Sequence, residues 1–288
     1  MIAVRPASLG ALAAELGGAL APGLEASVVE AVATAEEAGE GRLAPLTSLK
    51  YLEAARQAAA RGAALLVAEE LARDPRVLAL CERAWRHPHA AWALAGVLDR
   101  ASEAPAPPAI GAGSDVHPTA VIFPGAIVGA RARVGPYAVV GGPGFGWAFG
   151  PSGQARHVPQ LGGVVLGDDV WVGPHTTIDA GTLAPTRIED GVKLDAHVHV
   201  GHNCAIGPGT IVAAQAGFAG SVKVGRGVLV GGQAGVADHI TIGDGARLAA
   251  KAGVIGDVPP GAVVAGYPAV ARTRWLRGLA ALYRSLKP

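Results

Sequence analysis

From Val116 onward an aliphatic side chain returns at every sixth residue, at Ile122, Val128, Val134 and Val140. The phase resumes at Leu166, Val172 and Ile178, slips by four residues, and then runs unbroken through Ile188, Leu194, Val200, Ile206, Val212, Phe218, Val224, Val230, Val236, Ile242, Leu248 and Val254. A second register accompanies it, because the fifth residue of each hexad is small or apolar, as at Ala120, Ala126, Ala132, Ala138, Val192, Val198, Cys204, Thr210 and Ala216. Six residues make one short strand plus one corner. Three such sides close a triangular coil whose inward aliphatics stack on those of the coils above and below, so the spacing predicts a parallel β-helix, a solenoid stabilised coil against coil. Gly often follows the aliphatic, as at Gly129, Gly135, Gly167, Gly173, Gly201, Gly207, Gly225 and Gly243. There it is expected to supply a corner conformation that side chains resist.

The rest of the chain has a different pattern. LGALAAELGGAL at 9–20 and YLEAARQAAA at 51–60 carry helical spacing, and AALLVAEE at 63–70 reads as a buried strand entering a helix. A small α+β domain is expected over residues 1–105, with the Pro/Ala/Gly stretch ASEAPAPPAIGAGSD at 101–115 as its linker, the β-helix over 106–265, and a C-terminal part over 266–288. TRWLRGLAALYRSLK at 273–287 predicts an amphipathic, basic helix there. The two breaks in the hexad phase, 141–165 and Leu183 to Arg187, must loop out of the prism. Loops on a rigid scaffold are where sites tend to sit.

Composition narrows the function. With 50% hydrophobic and 16% charged residues the chain buries a real core. The balance of 24 Lys and Arg against 23 Asp and Glu leaves no electrostatic footprint for nucleic acid. The 42 Gly and 21 Pro fit a repetitive architecture better than a conventional α/β core. Two cysteines build no disulfide framework and the start MIAVRPASLG lacks the features of a signal peptide, so a cytoplasmic location is expected. No apolar run is long enough to span a bilayer, which leaves peripheral membrane contact at most.

His202 is the third residue of the Val200 hexad and His239 the fourth of the Val236 hexad, two full coils later, so the two share a face. At ~4.8 Å per coil they stand roughly 10 Å apart along the prism. Gly220 follows His202 by 18 residues, one coil, and can turn a backbone N–H toward a reacting carbonyl. Cys204 occupies an inward position and reads as core. His197, His199 and His202 also allow a metal reading, like the zinc held between subunits by the histidines of trimeric β-helix carbonic anhydrases. A non-catalytic scaffold is the third possibility. The Gly pairs at 141–146 lack the strand and helix that a dinucleotide fingerprint needs.

The runs GFGWAF at 144–149, HVPQLGGVVLGDDVWVG at 157–173, TTIDAGTL at 176–183, GVKLDAHVHVGHNCAIG at 191–207, AAQAGFAGSVKVG at 213–225 and GGQAGVADHITIGD at 231–244 resemble the UDP-3-O-(3-hydroxyacyl)glucosamine N-acyltransferases of lipid A biosynthesis. SLKYLEAA at 48–55, HPHAAWALAGVL at 87–98 and RTRWLRGLAALYRSL at 272–286 extend the likeness to both ends of the chain. The resemblance implies a left-handed β-helix, a homotrimer with sites between prisms, and transfer of a 3-hydroxyacyl chain from acyl carrier protein to the 2-amine of a nucleotide sugar. It implies no metal or redox cofactor, the acyl thioester being a co-substrate. Carried over position by position, it makes His202 the catalytic base, Asp195 a nearby carboxylate and Gly220 the donor facing the thioester oxygen. It places His239, Lys50, Tyr51, Phe145, Gln160 and Asn203 among substrate-binding residues. An imidazole with its ordinary pKa of ~6.5 suits removal of the amine proton near neutral pH. Departures from the family pattern are APLTSLKY at 44–51, which lacks an aromatic and an Asn before Lys50 and Tyr51, Ala180 in place of Arg, Ala184 and Pro185 in place of an acidic pair, and Ala196 in place of Asn. They motivate an alternative, the same chemistry on another nucleotide-linked amino sugar with acyl-CoA or acyl carrier protein as donor.

Overall fold

A computed structural model describes residues 1–266 and 272–285 of the chain. The N-terminal part is built on a six-stranded sheet of β1 (Ile2–Ser8), β2 (Ala19–Leu20), β3 (Val28–Val32), β4 (Arg42–Leu46), β5 (Ala64–Ala68) and β6 (Ala84–His87), in the order β1-β3-β4-β5-β6-β2. The inner pairs from β3 to β6 are parallel and the two edge strands antiparallel. Helix α1 (Leu9–Leu16) starts where the Ser8 side chain accepts the N–H of Ala11, and ends at Gly17 with φ +89°. Leu9, Leu12 and Leu16 bury its inner stripe, together with α4 (Ala90–Leu98), against Trp85 and Leu66. Helix α2 (Leu52–Ala60) covers the other face through Leu52, Ala55 and Ala58. The short α3 (Leu78–Cys81) precedes β6. The strand read at 63–70 leads into a single 3₁₀ turn at Leu71–Arg73 rather than a full helix.

The rest is a left-handed parallel β-helix with three sheets of seven, eight and seven strands. Strand partners one coil apart are 18 residues apart in the regular part, as in Lys193, Ile211, Leu229 and Arg247. The hexad aliphatics form one continuous core in which Val200, Ile206 and Ile242 are fully buried. Cys204 lies in this core, and burial pushes its thiol up to about 12. The first rung, Ala109–Ile110, pairs with Ile127 and Val128, so the solenoid begins inside the stretch read as a linker.

The corner glycines act differently from the expectation. The positive φ falls on the fourth residue of the hexad, at Asn203 (+61°), Ser221 (+64°), His239 (+60°) and Gly209 (+67°), two residues after the glycines that follow the aliphatics. Those second-position glycines are required by contact instead: a Cβ on Gly201 would stand 2.9 Å from the backbone of Ala219, one coil on. Buried hydroxyls also tie coil to coil. Thr210 Oγ1 donates to Gly225 O at 2.9 Å and accepts the N–H of Val228 at 3.2 Å. Thr176 makes the same pair of bonds, to Asp195 O and from the N–H of Val198.

Both breaks in the phase leave the prism at the same level and meet. The longer carries a hairpin, Trp147–Phe149 against Ala155–His157, that packs on α4, with the Arg156 guanidinium 3.9 Å above the Trp92 ring. The shorter loop pairs with its base: Leu161 N–H donates to Thr182 O at 3.1 Å and Gly162 N–H to Gly181 O at 2.7 Å. Beyond the prism, α5 (Arg272–Ser285) exposes Arg272, Arg274, Arg277 and Arg284 together with Leu276, Leu282 and Tyr283. Lys287 and the rest of the run to 288 lie outside the described residues. Among the described residues no helix is long and apolar enough to cross a membrane.

Candidate active site

His202 stands at a corner of the prism between two glycines. A Cβ on Gly144, from the long loop, would lie 2.8 Å from His202 Cβ, and one on Gly220, in the next coil, 2.6 Å from Cε1 and 2.7 Å from Nε2. The imidazole therefore occupies a slot that exists only because both positions lack side chains. Gly220 N–H donates to no group among the described residues, while the carbonyl of Gly220 accepts the N–H of His239 at 3.0 Å. A free N–H beside the Nε2 edge of an imidazole is an arrangement that can hold a developing oxyanion next to a base. His202, Gly220 and His239 line one cavity of about 510 Å³ with Phe145, Asp179, His199 and Asp238.

Asp179 is the residue that sequence reasoning missed. Its side chain is only 14% exposed, and His199 Nε2 lies 3.8 Å from its Oδ2. Burial raises its pKa above the usual carboxylate range, opposed by the charges of His199 and His202. The other ring nitrogen of His199 meets Thr177 Oγ1 at 2.8 Å. The carboxylate expected from sequence, Asp195, lies at a different corner, where its Oδ1 accepts the N–H of Ala196 at 2.8 Å. Within one chain it is not brought to His202. The reason is geometric, since residues seven apart in a six-residue repeat fall on successive corners.

A second cavity of about 500 Å³ opens between the N-terminal sheet and the prism. Thr34 and Ala35 follow β3 and Thr47 follows β4, so the cavity sits at the carboxyl ends of parallel strands, where α/β sheets bind ligands. Tyr51, Asn203, Ser221 and Lys223 also line it. Asn203 directly follows His202 and Ser221 directly follows Gly220, so each pair of neighbours presents one residue to each cavity.

The expected site residues thus divide. His202, Gly220, His239 and Phe145 share one cavity, and Phe145 is 86% exposed beside it. Tyr51 and Asn203 line the second. Gln160 joins neither lining; its Oε1 lies 2.8 Å from Thr182 Oγ1. Lys50 is exposed and absent from the lining that contains Tyr51. The trio weighed as metal ligands is dispersed. His197 stacks on His175 along one edge with ring centroids 4.9 Å apart, His199 sits on a face, and His202 occupies the next edge. Among the described residues no three His, Cys, Asp or Glu gather as a metal site.

The fold and its repeat define a hexapeptide-repeat protein of the bacterial transferase type, and the model of that repeat, bacterial transferase hexapeptide (six repeats), matches residues 185–220. Its relatives are the UDP-3-O-acylglucosamine N-acyltransferases, as the resemblance implied. The protein of that name from Herminiimonas arsenicoxydans is 47% identical over 112 residues, 39% of this chain and 32% of the relative. The one from Anaeromyxobacter dehalogenans is 49% identical over 160 residues, 54% of this chain and 45% of the relative. The matched part thus spans between a third and a half of the length of these curated relatives. Among solved structures, LpxA from Acinetobacter baumannii shares the fold, with a TM-score of 0.50 at 23% identity over 60% of this chain and 66% of that one.

Proposed function

We propose that this chain is an N-acyltransferase that moves a 3-hydroxyacyl chain from acyl carrier protein to the 2-amine of UDP-3-O-acylglucosamine in lipid A biosynthesis. The observation that carries the reading is the His202 slot, which sets the Nε2 edge of an imidazole against the unpaired N–H of Gly220. In this reading the sugar amine attacks the thioester carbonyl, the C–N bond forms, and His202 Nε2 takes the amine proton. The Gly220 N–H holds the oxyanion until the C–S bond breaks. The thiolate then receives the proton from His202 and leaves as the thiol. The second cavity takes the nucleotide, with Tyr51 beside the base and Lys223 toward the phosphates. The working form is a cytoplasmic homotrimer with the site between prisms, and there Asp195 of a neighbouring copy can approach His202. The basic face of α5 suits an acidic carrier protein.

A second reading is the same transfer on a different nucleotide-linked amino sugar, with acyl-CoA or acyl carrier protein as donor. The lining at the base-binding end favours it, since Tyr51 is accompanied there by Thr34, Glu36 and Thr47 rather than by a second aromatic. Mass spectrometry of the purified protein with UDP-3-O-acylglucosamine and 3-hydroxyacyl carrier protein tests both. Wild type should form the N-acylated sugar and His202→Ala should lose about 10²- to 10⁴-fold in rate with an unchanged melting temperature. A folded wild type that acylates only other amino sugars would select the second reading.

A further inference from the structure

The four-residue slip in the repeat has a consequence for the state of the base. It lets the chain bulge after Gly181, and the bulge brings two fixed backbone groups over Asn203. Thr182 N–H lies 3.3 Å from Asn203 Oδ1, and Asn203 Nδ2 lies 3.4 Å from Ala184 O. A backbone N–H can only donate and a backbone carbonyl can only accept, so these two groups orient the amide of Asn203 without ambiguity. Its oxygen is therefore the atom 3.0 Å from His202 Nδ1. An amide oxygen only accepts, so Nδ1 must carry the hydrogen. The lone pair of the neutral ring is left on Nε2, the nitrogen that faces Gly220.

We propose that Asn203, oriented by the 181–185 bulge, is a positioning residue that holds His202 as its Nδ1–H tautomer and thereby makes Nε2 the basic nitrogen. The long loop supports the bulge. Thr182 O–H has Gln160 Oε1 and Asn203 Oδ1 both at 2.8 Å, and the backbone bonds of Leu161 and Gly162 fix the segment from the other side. Both interruptions of the hexad phase then serve one imidazole. Asn is suited to the position, because its φ of +61° lies in the left-handed region that Asn tolerates and its short amide reaches back along its own corner.

The catalytic meaning of the tautomer rests on the acyl-transfer reading, whereas the tautomer itself can be read without substrate. The test is the ¹⁵N spectrum of His202 in the full-length protein, labelled at histidine and recorded above the imidazole titration, for wild type, Asn203→Gly and Asn203→Asp. Gly tolerates the positive φ and removes the acceptor; Asp keeps an acceptor in the same place. Wild type and Asn203→Asp should show a protonated Nδ1, and Asn203→Gly should move the proton to Nε2 in most molecules. In transfer assays Asn203→Gly should lower kcat at least about tenfold with little change in KM, since a wrong tautomer alone costs ~10⁴ in a serine-protease triad. Asn203→Asp should recover most of the rate and move the acid limb of the pH profile upward. A wild-type His202 protonated at Nε2, or an Asn203→Gly variant that keeps Nδ1–H, overturns the proposal. A protonated Nδ1 that depends on Asn203, in a protein that acylates no amino sugar, upholds the positioning role and overturns the transferase reading instead.

Discussion

A methyl group at Gly220 would overlap the His202 ring edge, so Gly220→Ala must displace the imidazole while leaving the backbone N–H in place. We expect ~10²-fold loss of transfer, as for loss of one oxyanion donor, with an unchanged melting temperature. An unaffected rate would show that the ring does not work from this slot. Asp179 makes a different prediction. Burial raises its pKa in the folded chain, so folding favours its protonated form. That favourable contribution is fully present below the unfolded carboxylate pKa and is lost as pH rises through the folded value. Asp179→Asn should therefore melt at a higher temperature than wild type near neutral pH, with the difference shrinking as the pH is lowered toward 4, near the model-compound value of 3.8. A gap that grows on acidification would reverse the sign and the argument. His202, Gly220 and His239 could be placed from sequence because counting in sixes locates a corner. Asp179 could not, because a carboxylate at an outward strand position looks like a solvated face until the long loop with Phe145 covers it.

At the level of the element, the hexad count identified the strands, the inward stack and both interruptions, since the repeat makes each short strand predictable from its neighbours. What it did not reveal was why Gly follows the aliphatic. Contact with the next coil is a three-dimensional property, whereas conformational preference is local and is the first explanation a sequence offers. Nor could spacing show that the two interruptions pair with each other, because their meeting depends on 20 or so residues returning to one corner. The coil-bridging hydroxyls carry a stability prediction. Thr210→Val keeps the shape yet leaves Gly225 O and Val228 N–H without Thr210 Oγ1, so urea unfolding should lose about 1–3 kcal/mol, and Thr210→Ser should restore most of it. Equal stability of all three would mean that the hydroxyl is incidental and that methyl packing alone holds the coil.

Considered as a whole, the molecule joins a sheet-based unit, whose crevice lies at strand carboxyl ends, to a solenoid whose corner carries the base, and the hairpin on α4 braces one against the other. The composition foretold a repetitive architecture, but the crevice is formed by Thr34, Thr47 and Leu94 meeting Leu183 and Lys223, residues with no common motif. The coil is also a unit of length. Because partners such as Ile211, Leu229 and Arg247 repeat at 18 residues, the stretch between the His202 cavity and the end of the prism can be lengthened or shortened only in whole coils, each about 4.8 Å tall, if every inward side chain is to remain inward. Smaller insertions must be expelled at a corner, as the four residues near Ala184 are. Reach along this axis is thus digital: lineages or designers that alter the distance from base to α5 must do so in integer steps, each keeping the chemistry at one end and the surface at the other facing the same way.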